Sequence, residues 1–324
     1  MAVSCWLSGL VVAGLLAFGG AASAEELSEV RVSYTSIVPE SLIVKENGWI
    51  EEALAPKGIK VKWIESLGSN KTIEFLRGKN LDVGTSSLAS AFLARANGTP
   101  IRYVYWTARQ NSGSPILVRK GSGITKVADL KGRKIAATPG TGPYISLIAA
   151  LQNNGLTPQD VEIVSLQHSQ GRLALATGRV DAWAGLDPDW SIAELENGAE
   201  VLYAAPELAG GGGLDVRDEF LAEHPEVVQA VLAGFEKGRL YAIDNREEAV
   251  ALFSKASRID PKVAARVLER NDTSRPAVVD GDLPALIAWG NLYRQLGSID
   301  ASVNVEAVAR EVLDTRTFTP SEAK

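Results

Sequence analysis

The stretch DLKGRKIAATPGTGPY, residues 129–144, contains the pattern that decides the fold. Residues 134–136 begin a short apolar strand, residues 139–143 form a sharp turn, and residues 144–151 form an apolar helix. A turn of glycine and threonine that opens a helix leaves backbone N–H groups without intrahelical partners, and the helix dipole adds partial positive charge there. The pattern therefore predicts either an anion site or a helix start that Thr141 simply caps.

Two other places repeat this arrangement, in which hydroxyl side chains follow a strand and precede a helix. They are Thr35 and Ser36 after the first strand, and Ser86 and Ser87 before the helix predicted up to residue 96. In open α/β sheets ligands bind beyond the carboxyl ends of the strands, so these segments should meet at one edge. Each hydroxyl alone is typical of a helix cap, whereas the three segments together favour a shared anion site.

Strands and helices alternate along the chain, which predicts an α/β fold with largely parallel sheets. The alternation begins at residues 30–34 and restarts at Ser114, and LRGKNLDV (76–83) is echoed by LATGRVDA (175–182). Each echo has the features of a helix end, a glycine cap, a basic residue and a strand that starts with aspartate. Because 324 residues exceed the usual size of a single domain, we expect two similar lobes.

The first 24 residues have the features of an export signal. Residues 7–22 are apolar, and Ala22, Ser23 and Ala24 form a small-residue cleavage pattern, which predicts cleavage after Ala24. Cys5, the one cysteine, lies within this segment. The exported chain would therefore have no disulfide and no thiol catalysis, and its stability would come from core burial.

The composition argues against several functional classes. A net charge of −6 disfavours nucleic acid as a partner. His168 and His224, which we expect at the surface, cannot form a zinc cluster without cysteines. The chain has no Walker loop, no dinucleotide fingerprint and no nucleophile elbow with a usable histidine. We therefore expect no cofactor, no metal and no catalytic residue.

A further cluster lies in DAWAGLDPDW, residues 181–190. Trp183, at a strand end, can form an apolar wall of a pocket or pack in the core. Asp187 can contact a cationic or hydroxyl part of a ligand, or cap the helix that follows Pro188. Arg109, at the end of the last strand before the restart, can pair with an anion or remain a solvated surface residue.

Five segments resemble the periplasmic solute-binding proteins of ABC importers, in the branch for aliphatic sulfonates, taurine and nitrate. They are GWI (48–50), LRGKNLDVGTSS (76–87), VADLKGRKIAATPGTGPY (127–144), LATGRVDAWAGLDP (175–188) and RDEFLAEHPEVVQAV (217–231). The resemblance implies a two-lobe periplasmic binding protein fold of type II. Each lobe would be a mostly parallel sheet flanked by helices, with the ligand in the interlobe cleft.

The resemblance also implies boundaries, a site and a role. Lobe 1 would comprise residues 25–112 and 212–324, and lobe 2 residues 113–211. The anionic head group would lie at Ser36, Ser86, Ser87, Thr141 and Gly142, and the rest of the ligand at Tyr144, Trp183 and Asp187. The protein would be a periplasmic monomer that captures a small organic anion, an aliphatic sulfonate or taurine, and delivers it to an inner-membrane permease with its ATPase.

Alternatives remain open on the same scaffold. Related proteins bind nitrate or a thiamine pyrimidine precursor, and others are enzymes or sensory domains. The export signal and the lack of a DNA-binding helix pair argue against a sensor. The lack of cysteine after the signal argues against the enzymes of this fold that need one.

Residues 210–213 are four consecutive glycines, where members of the family are usually richer in polar and aromatic residues. We expect this run to act as a flexible hinge in the second crossing between the lobes, at residues 206–213. The first crossing is expected at residues 109–114. The glycines would leave room for a bulkier ligand, and the sequence after residue 216 predicts mostly helices.

Overall fold

The computed structural model describes residues 27–110, 113–204 and 210–320. The expected export signal, residues 1–24, lies outside the described residues, as do parts of both expected crossings. Two five-stranded sheets organise the described chain, one in lobe 1 and one in lobe 2. Among the described residues, no helix combines the length and the apolar character that crossing a membrane requires.

The sheet of lobe 1 contains strands from both ends of the chain. Its members are β1 (Glu29–Tyr34), β2 (Lys60–Glu65), β3 (Val83–Ser87), β4 (Ile101–Gln110) and β10 (Gly210–Arg217). They lie in the order β2-β1-β3-β10-β4. Because β10 is antiparallel to both β3 and β4, four strands run in one direction and one is reversed.

The sheet of lobe 2 repeats this topology. Its members are β5 (Ile116–Arg119), β6 (Lys134–Ala137), β7 (Glu162–Ser165), β8 (Ala182–Ala184) and β9 (Ala199–Tyr203), in the order β7-β6-β8-β5-β9. Here β5 is the reversed strand. The prediction of two α/β lobes with mostly parallel sheets is therefore confirmed.

Thirteen α-helices among the described residues cover the two sheets. They are α1 (Pro39–Asn47), α2 (Trp49–Leu54), α3 (Ser69–Arg77), α4 (Leu88–Ala96), α5 (Gly142–Asn153), α6 (His168–Ala176), α7 (Asp189–Leu195), α8 (Asp218–Glu223), α9 (Pro225–Asp244), α10 (Arg246–Ser257), α11 (Pro261–Arg270), α12 (Leu283–Gln295) and α13 (Val305–Val312). Gly48, at φ 67°, separates α1 from α2, because its left-handed backbone ends the first helix.

The apolar core lies on both faces of the lobe 1 sheet. Val30 and Val32 of β1 are fully buried in a cluster with Phe235 of α9, and Phe92 of α4 is fully buried in another cluster. Sheets with helices on both faces bury nearly every strand residue, which explains the continuous apolar runs in the sequence.

The echoed segments form the same junction in both lobes. In lobe 1 the Asp82 carboxylate accepts a hydrogen bond from the Arg31 backbone N–H at 2.8 Å, and Asp82 N–H donates to the Arg31 carbonyl. In lobe 2 Asp181 makes the matching pair of bonds with the backbone of Lys134, at 2.9 and 2.8 Å. The aspartate thus ties the strand that follows it to the first parallel strand of its own lobe.

The glycine run is a central strand, so the expectation of a flexible hinge at residues 210–213 is wrong. Gly212 and Gly213 lie opposite Ser87 and Ser86. Strand β3 therefore includes Ser86 and Ser87, which the sequence placed after the strand. A Cβ on Gly213 would lie 2.1 Å from the Tyr103 hydroxyl. Glycine is needed at positions 211 and 213 because neighbouring groups occupy the space of a side chain there.

We expect Gly213→Ala to lower the free energy of unfolding by about 2 kcal/mol, because a methyl group must displace the Tyr103 ring or the strand. Gly212→Ala is the matched control on the same strand. Its Cβ would lie 3.3 Å from the Thr107 hydroxyl, a group that can rotate away. Urea unfolding of both variants checks this, and equal losses would contradict the packing argument.

Candidate functional site

A cavity of about 240 Å³ lies between the two lobes. Lobe 1 lines it with the ends of β3 and β4, with Gly210, Gly211 and Gly212 at the start of β10, and with parts of α1, α9 and α12. Lobe 2 lines it with the first turns of α5 and with Leu186 and Asp187 after β8. The cavity therefore lies at the edge of the sheets where ligands bind in folds of this class.

Hydroxyl groups and helix starts meet at one end of the cavity. Ser87 precedes α4, and its Oγ accepts a hydrogen bond from Ser90 N–H at 3.2 Å. Ser69 opens α3 and accepts from Ser87 N–H at 3.0 Å. A Cβ on Gly142, the first residue of α5, would lie 3.6 Å from Ser87 Oγ. The N-termini of three helices thus converge, and such termini favour an anion.

The rest of the cavity has mostly apolar walls. The indole rings of Trp106 and Trp289 contribute to it, together with side chains of Leu88, Leu186 and Leu286. Both tryptophans are more than nine-tenths buried. A ligand in this cavity would therefore contact donor groups at one end and hydrocarbon at the other.

The charged side chains at the walls are largely committed to partners. Arg109 Nη1 is 2.7 Å from the Asp282 carboxylate, and its guanidinium stacks 4.3 Å from the centre of the Trp106 ring. Trp106 Nε1 also donates to Asp282, at 3.1 Å. The sequence left two alternatives for Arg109, a free partner for an anion or a solvated surface residue, and the structure shows neither. Its side chain instead packs on the Trp106 ring at the cavity wall and pairs with Asp282.

Glu40 is a buried carboxyl group at the cavity. Its Oε1 accepts from the Tyr105 hydroxyl at 3.1 Å, whereas Oε2 has no hydrogen-bond partner within the described ranges. Burial raises the pKa of Glu40 well above its usual value, and the nearby Glu236 raises it further. Glu236 pairs with Arg239, whose Nη2 is 2.7 Å from Oε1. The neutral form of Glu40 is therefore favoured.

Asp187 is 4% exposed and lies where lobe 2 meets lobe 1. Its Oδ1 accepts from Ser191 N–H at 2.9 Å and from Ser191 Oγ at 2.6 Å, so it caps the start of α7. Arg270 of α11 approaches both carboxylate oxygens at 3.4 Å. Burial raises the pKa of Asp187, and Ser191 and Arg270 oppose that rise.

Four of the eight predicted site residues line the cavity and four do not. Those that line it are Ser86, Ser87, Gly142 and Asp187. Thr141 is buried beside the cavity, where its Oγ1 donates to the Thr138 carbonyl at 2.6 Å. Tyr144 packs against the core of lobe 2. Ser36 is half-buried, and its neighbour Thr35 lines the cavity in its place.

Trp183 is corrected from a pocket wall to a core residue. It is fully buried, with Leu117 and Leu175 in the same cluster. A Cβ on Gly171 or Gly185 would lie 2.6 or 2.3 Å from the Trp183 ring. The ring therefore fills the space that two glycines leave, because β8 lies in the interior of the sheet and its side chains are covered.

Several residues that line the cavity are not among those predicted from the sequence. Ser69 follows β2 and opens α3, so the same strand–hydroxyl–helix pattern could have found it. Trp289 and Leu286 lie on α12, about 200 residues after β3, and no local signal links them to the cleft. Only the packing of the C-terminal helices against lobe 1 brings them there.

The two lobes touch each other around the cavity. Ser90 Oγ of α4 donates to the Gly140 carbonyl of lobe 2 at 3.0 Å. A Cβ on Gly68 would lie 3.3 Å from Nε2 of His168, which is 3% exposed at the start of α6. The expectation of a surface position for His168 is therefore wrong, and desolvation lowers its pKa to about 4.

Asp215 is a buried acid behind the cavity. It is fully buried on β10, and neither carboxylate oxygen has a hydrogen bond of good geometry among the described residues. Burial raises its pKa to about 8, which the neighbouring Ser86 hydroxyl offsets only in part. Within the described part of the chain, no group of three or more His, Cys, Asp or Glu side chains is arranged to hold a metal ion.

The fold and the interlobe cavity define a two-lobe solute-binding protein. A family model described as NMT1/THI5 like matches residues 41–249, and the chain belongs to this family.

Two relatives and one solved structure are similar over nearly the whole chain. A Bacillus subtilis (strain 168) relative named for aliphatic sulfonate binding is 30% identical, over 92% of this chain and 90% of its own length. The taurine-binding periplasmic protein of Escherichia coli (strain K12) is 27% identical, over 91% of this chain and 87% of its own. The alkanesulfonate-binding protein from Xanthomonas axonopodis pv. citri bound to MOPS superposes with a TM-score of 0.80 and 25% identity, covering 88% of this chain and 99% of that one.

We expect Asp215→Asn to stabilise the protein, and increasingly so as the pH rises. The folded state holds the Asp215 proton up to about pH 8, whereas the unfolded state releases it above about pH 4. The stability of the unaltered protein should therefore fall across this window, by up to about 1.4 kcal/mol per pH unit for this group. Urea unfolding of both proteins at pH 5, 6, 7 and 8 checks this. A difference that stays constant with pH would contradict it.

Proposed function

We propose that this protein is the solute-binding component of an ABC importer and that it captures an aliphatic sulfonate between its two lobes. The observation that carries the proposal is the division of the cavity into a donor end, where α3, α4 and α5 begin, and an apolar end. A sulfonate with an alkyl chain has the same division. The names of the similar proteins support the same ligand class.

The head group would lie between Ser69, Ser87 and Gly142. A sulfonate presents three oxygen atoms that each accept hydrogen bonds, and hydroxyl groups and first-turn N–H groups can donate to all three. These donors need no formal positive charge. This fits a cavity in which Arg109 and Arg239 are already paired with carboxylates.

The tail would be hydrocarbon rather than an ammonium group. The carboxyl groups that line the described cavity are Glu40, Asp187 and Asp282. Asp187 and Asp282 are paired with arginines, and burial favours the neutral form of Glu40. Asp187 and Asp282 are therefore occupied, and Glu40 would have to ionise in a buried position to pair with the amine of taurine. An alkyl chain needs no such partner and can pack against Trp106 and Trp289.

Transport would follow from binding and closure. In this proposal the protein is exported by its first 24 residues, acts as a periplasmic monomer and has no catalytic activity. The boundary expected from the sequence places Gly210 and Gly211 in lobe 2, but they pair with β4 in the lobe 1 sheet. The proposed lobe 1 therefore comprises residues 25–112 and 210–324, and the proposed lobe 2 begins at residue 113. Ligand would favour the closed arrangement because it contacts both lobes only there. The closed protein would then dock on a membrane permease whose ATPase drives release.

An isosteric pair of ligands tests the head group and the tail together. Taurine and 1-propanesulfonate have the same number of non-hydrogen atoms and differ in an ammonium against a methyl group. We expect 1-propanesulfonate to bind at least tenfold more tightly, because burying an unpaired ammonium group costs more than the roughly 1.4 kcal/mol that corresponds to a factor of ten in affinity. Calorimetric titration of refolded, ligand-stripped protein measures both affinities.

Different results would contradict the hydrocarbon tail and the proposed ligand class. Tighter binding of taurine would overturn the hydrocarbon tail and leave the sulfonate head group intact. Binding of nitrate or of a hydroxymethylpyrimidine, with no heat from any sulfonate, would overturn the proposed ligand class. Sulfate in the same series controls for an anion without a tail.

We expect Trp289→Phe to reduce the change in tryptophan fluorescence that 1-propanesulfonate causes, because Trp289 is one of the two tryptophans that line the described cavity. Trp183→Phe is the control. It should keep the change and lower the melting temperature, because truncating a fully buried indole leaves a void. Fluorescence titration and thermal unfolding of both variants test this. Loss of the signal in the Trp183 variant alone would return that residue to the site.

A further inference from the structure

We propose that Arg270 is a positioning residue that couples lobe closure to anion binding, because it reaches from lobe 1 to neutralise Asp187 on the lobe 2 wall of the cavity. The inference rests on the proposed function, since it explains how a cleft with a buried carboxylate accepts a negatively charged ligand.

The contacts of Arg270 all lie on the opposite lobe. Its Nη1 is 3.4 Å from both oxygens of Asp187 and 3.0 Å from Ser191 Oγ. Its Nη2 bonds the Glu194 carboxylate. The guanidinium carbon lies 3.7 Å from the centre of the Trp190 ring, over its face. One side chain therefore joins two carboxylates, a hydroxyl group and an aromatic ring of the segment 187–194.

The two partners belong to elements of different lobes. Arg270 is the last residue of α11, which packs through Val263 and Val267 in a cluster with Ile43 of α1. Ser191 lies on α7, which directly follows Asp187 and packs against α6 and β9 of lobe 2. A change in the angle between the lobes would therefore separate the guanidinium from Asp187, together with the contact that Ile192 of α7 makes with the α11 cluster.

Asp187 makes this contact important for an anion. Its side chain is nearly inaccessible to water and lines the same cavity as Ser87 and Gly142. A carboxylate without a cation there would be costly to bury and would repel a sulfonate. The Ser191 hydroxyl and N–H reduce the first cost but add no positive charge. Arg270 supplies that charge only when the lobes are together.

Arginine suits the position better than lysine. The planar guanidinium contacts Asp187 through Nη1 and Glu194 through Nη2 while its face stacks on Trp190. An ammonium group is a point charge and cannot make all three contacts in one geometry. Arg270 is half-buried in this arrangement, so solvent screens the pairing only in part.

The test is a double-mutant cycle read out as the affinity for 1-propanesulfonate. Arg270→Gln should weaken binding about 30-fold or more, because it leaves a buried carboxylate beside the ligand. Asp187→Asn keeps the acceptor for Ser191 and removes the charge. In the Asp187→Asn background, Arg270→Gln should therefore weaken binding only about threefold, since the charge it neutralised is gone.

Arg266→Gln is the matched control, one turn earlier on α11. Arg266 is solvent-exposed and pairs within its own helix with Glu269, at 3.6 Å. This variant should bind within about twofold of the unaltered protein, as surface pairs contribute little. Thermal unfolding of every variant shows whether it folds.

An equal loss from Arg270→Gln in both backgrounds would overturn the proposal, because Arg270 would then act without Asp187. Affinity unchanged by Arg270→Gln would overturn it as well. If the unaltered protein binds no sulfonate, the proposed function fails, and X-ray scattering of ligand-free protein still tests the coupling. Arg270→Gln should then increase the radius of gyration and Asp187→Asn should restore it. A radius unchanged by Arg270→Gln would refute the role in closure.

Discussion

The close packing around β10 is the constraint on which the rest of the structure depends. The chain returns from lobe 2 to lobe 1 by inserting this strand, reversed, between β3 and β4. Its first four residues have no side chains, and a Cβ on Gly211 or Gly213 would lie about 2.1 Å from a neighbouring oxygen atom. Because β10 pairs with β3 as far as Ser87, β3 stays extended up to that residue. Helix α4 therefore begins at the cavity.

The same strand connects the cavity to the core of lobe 1. Gly210, Gly211 and Gly212 line the cavity, and further along β10 Asp215 is buried without an ionic partner in the described chain. Arg217, at the end of the strand, pairs with Asp82 at 2.6 Å. Along β10, the glycines thus form a cavity wall without side chains, Asp215 is a buried acid in its neutral form, and Arg217 forms an ion pair.

Most of the charged side chains that line the cavity are paired, whereas the exposed Arg246 has no ion-pair partner in the described chain. Arg109 and Arg239 pair with carboxylates of their own lobe, whereas Asp187 finds its cation, Arg270, in the other lobe. This difference matters because pairs within one lobe persist when the lobes move, and a pair across lobes does not. The charge of Asp187 is therefore neutralised by Arg270 only when the two lobes are together.

The sequence by itself determined the two α/β lobes, the repeated aspartate junctions and the hydroxyl-rich helix starts at Ser87 and Gly142. These features depend on local periodicity and turn chemistry, which neighbouring residues specify. Only the tertiary structure decided that residues 210–213 form a strand, that Trp183 fills the core and that Trp289 reaches the cleft. The reason is that burial and strand pairing depend on what packs against a segment, and here the partners lie far away in the chain.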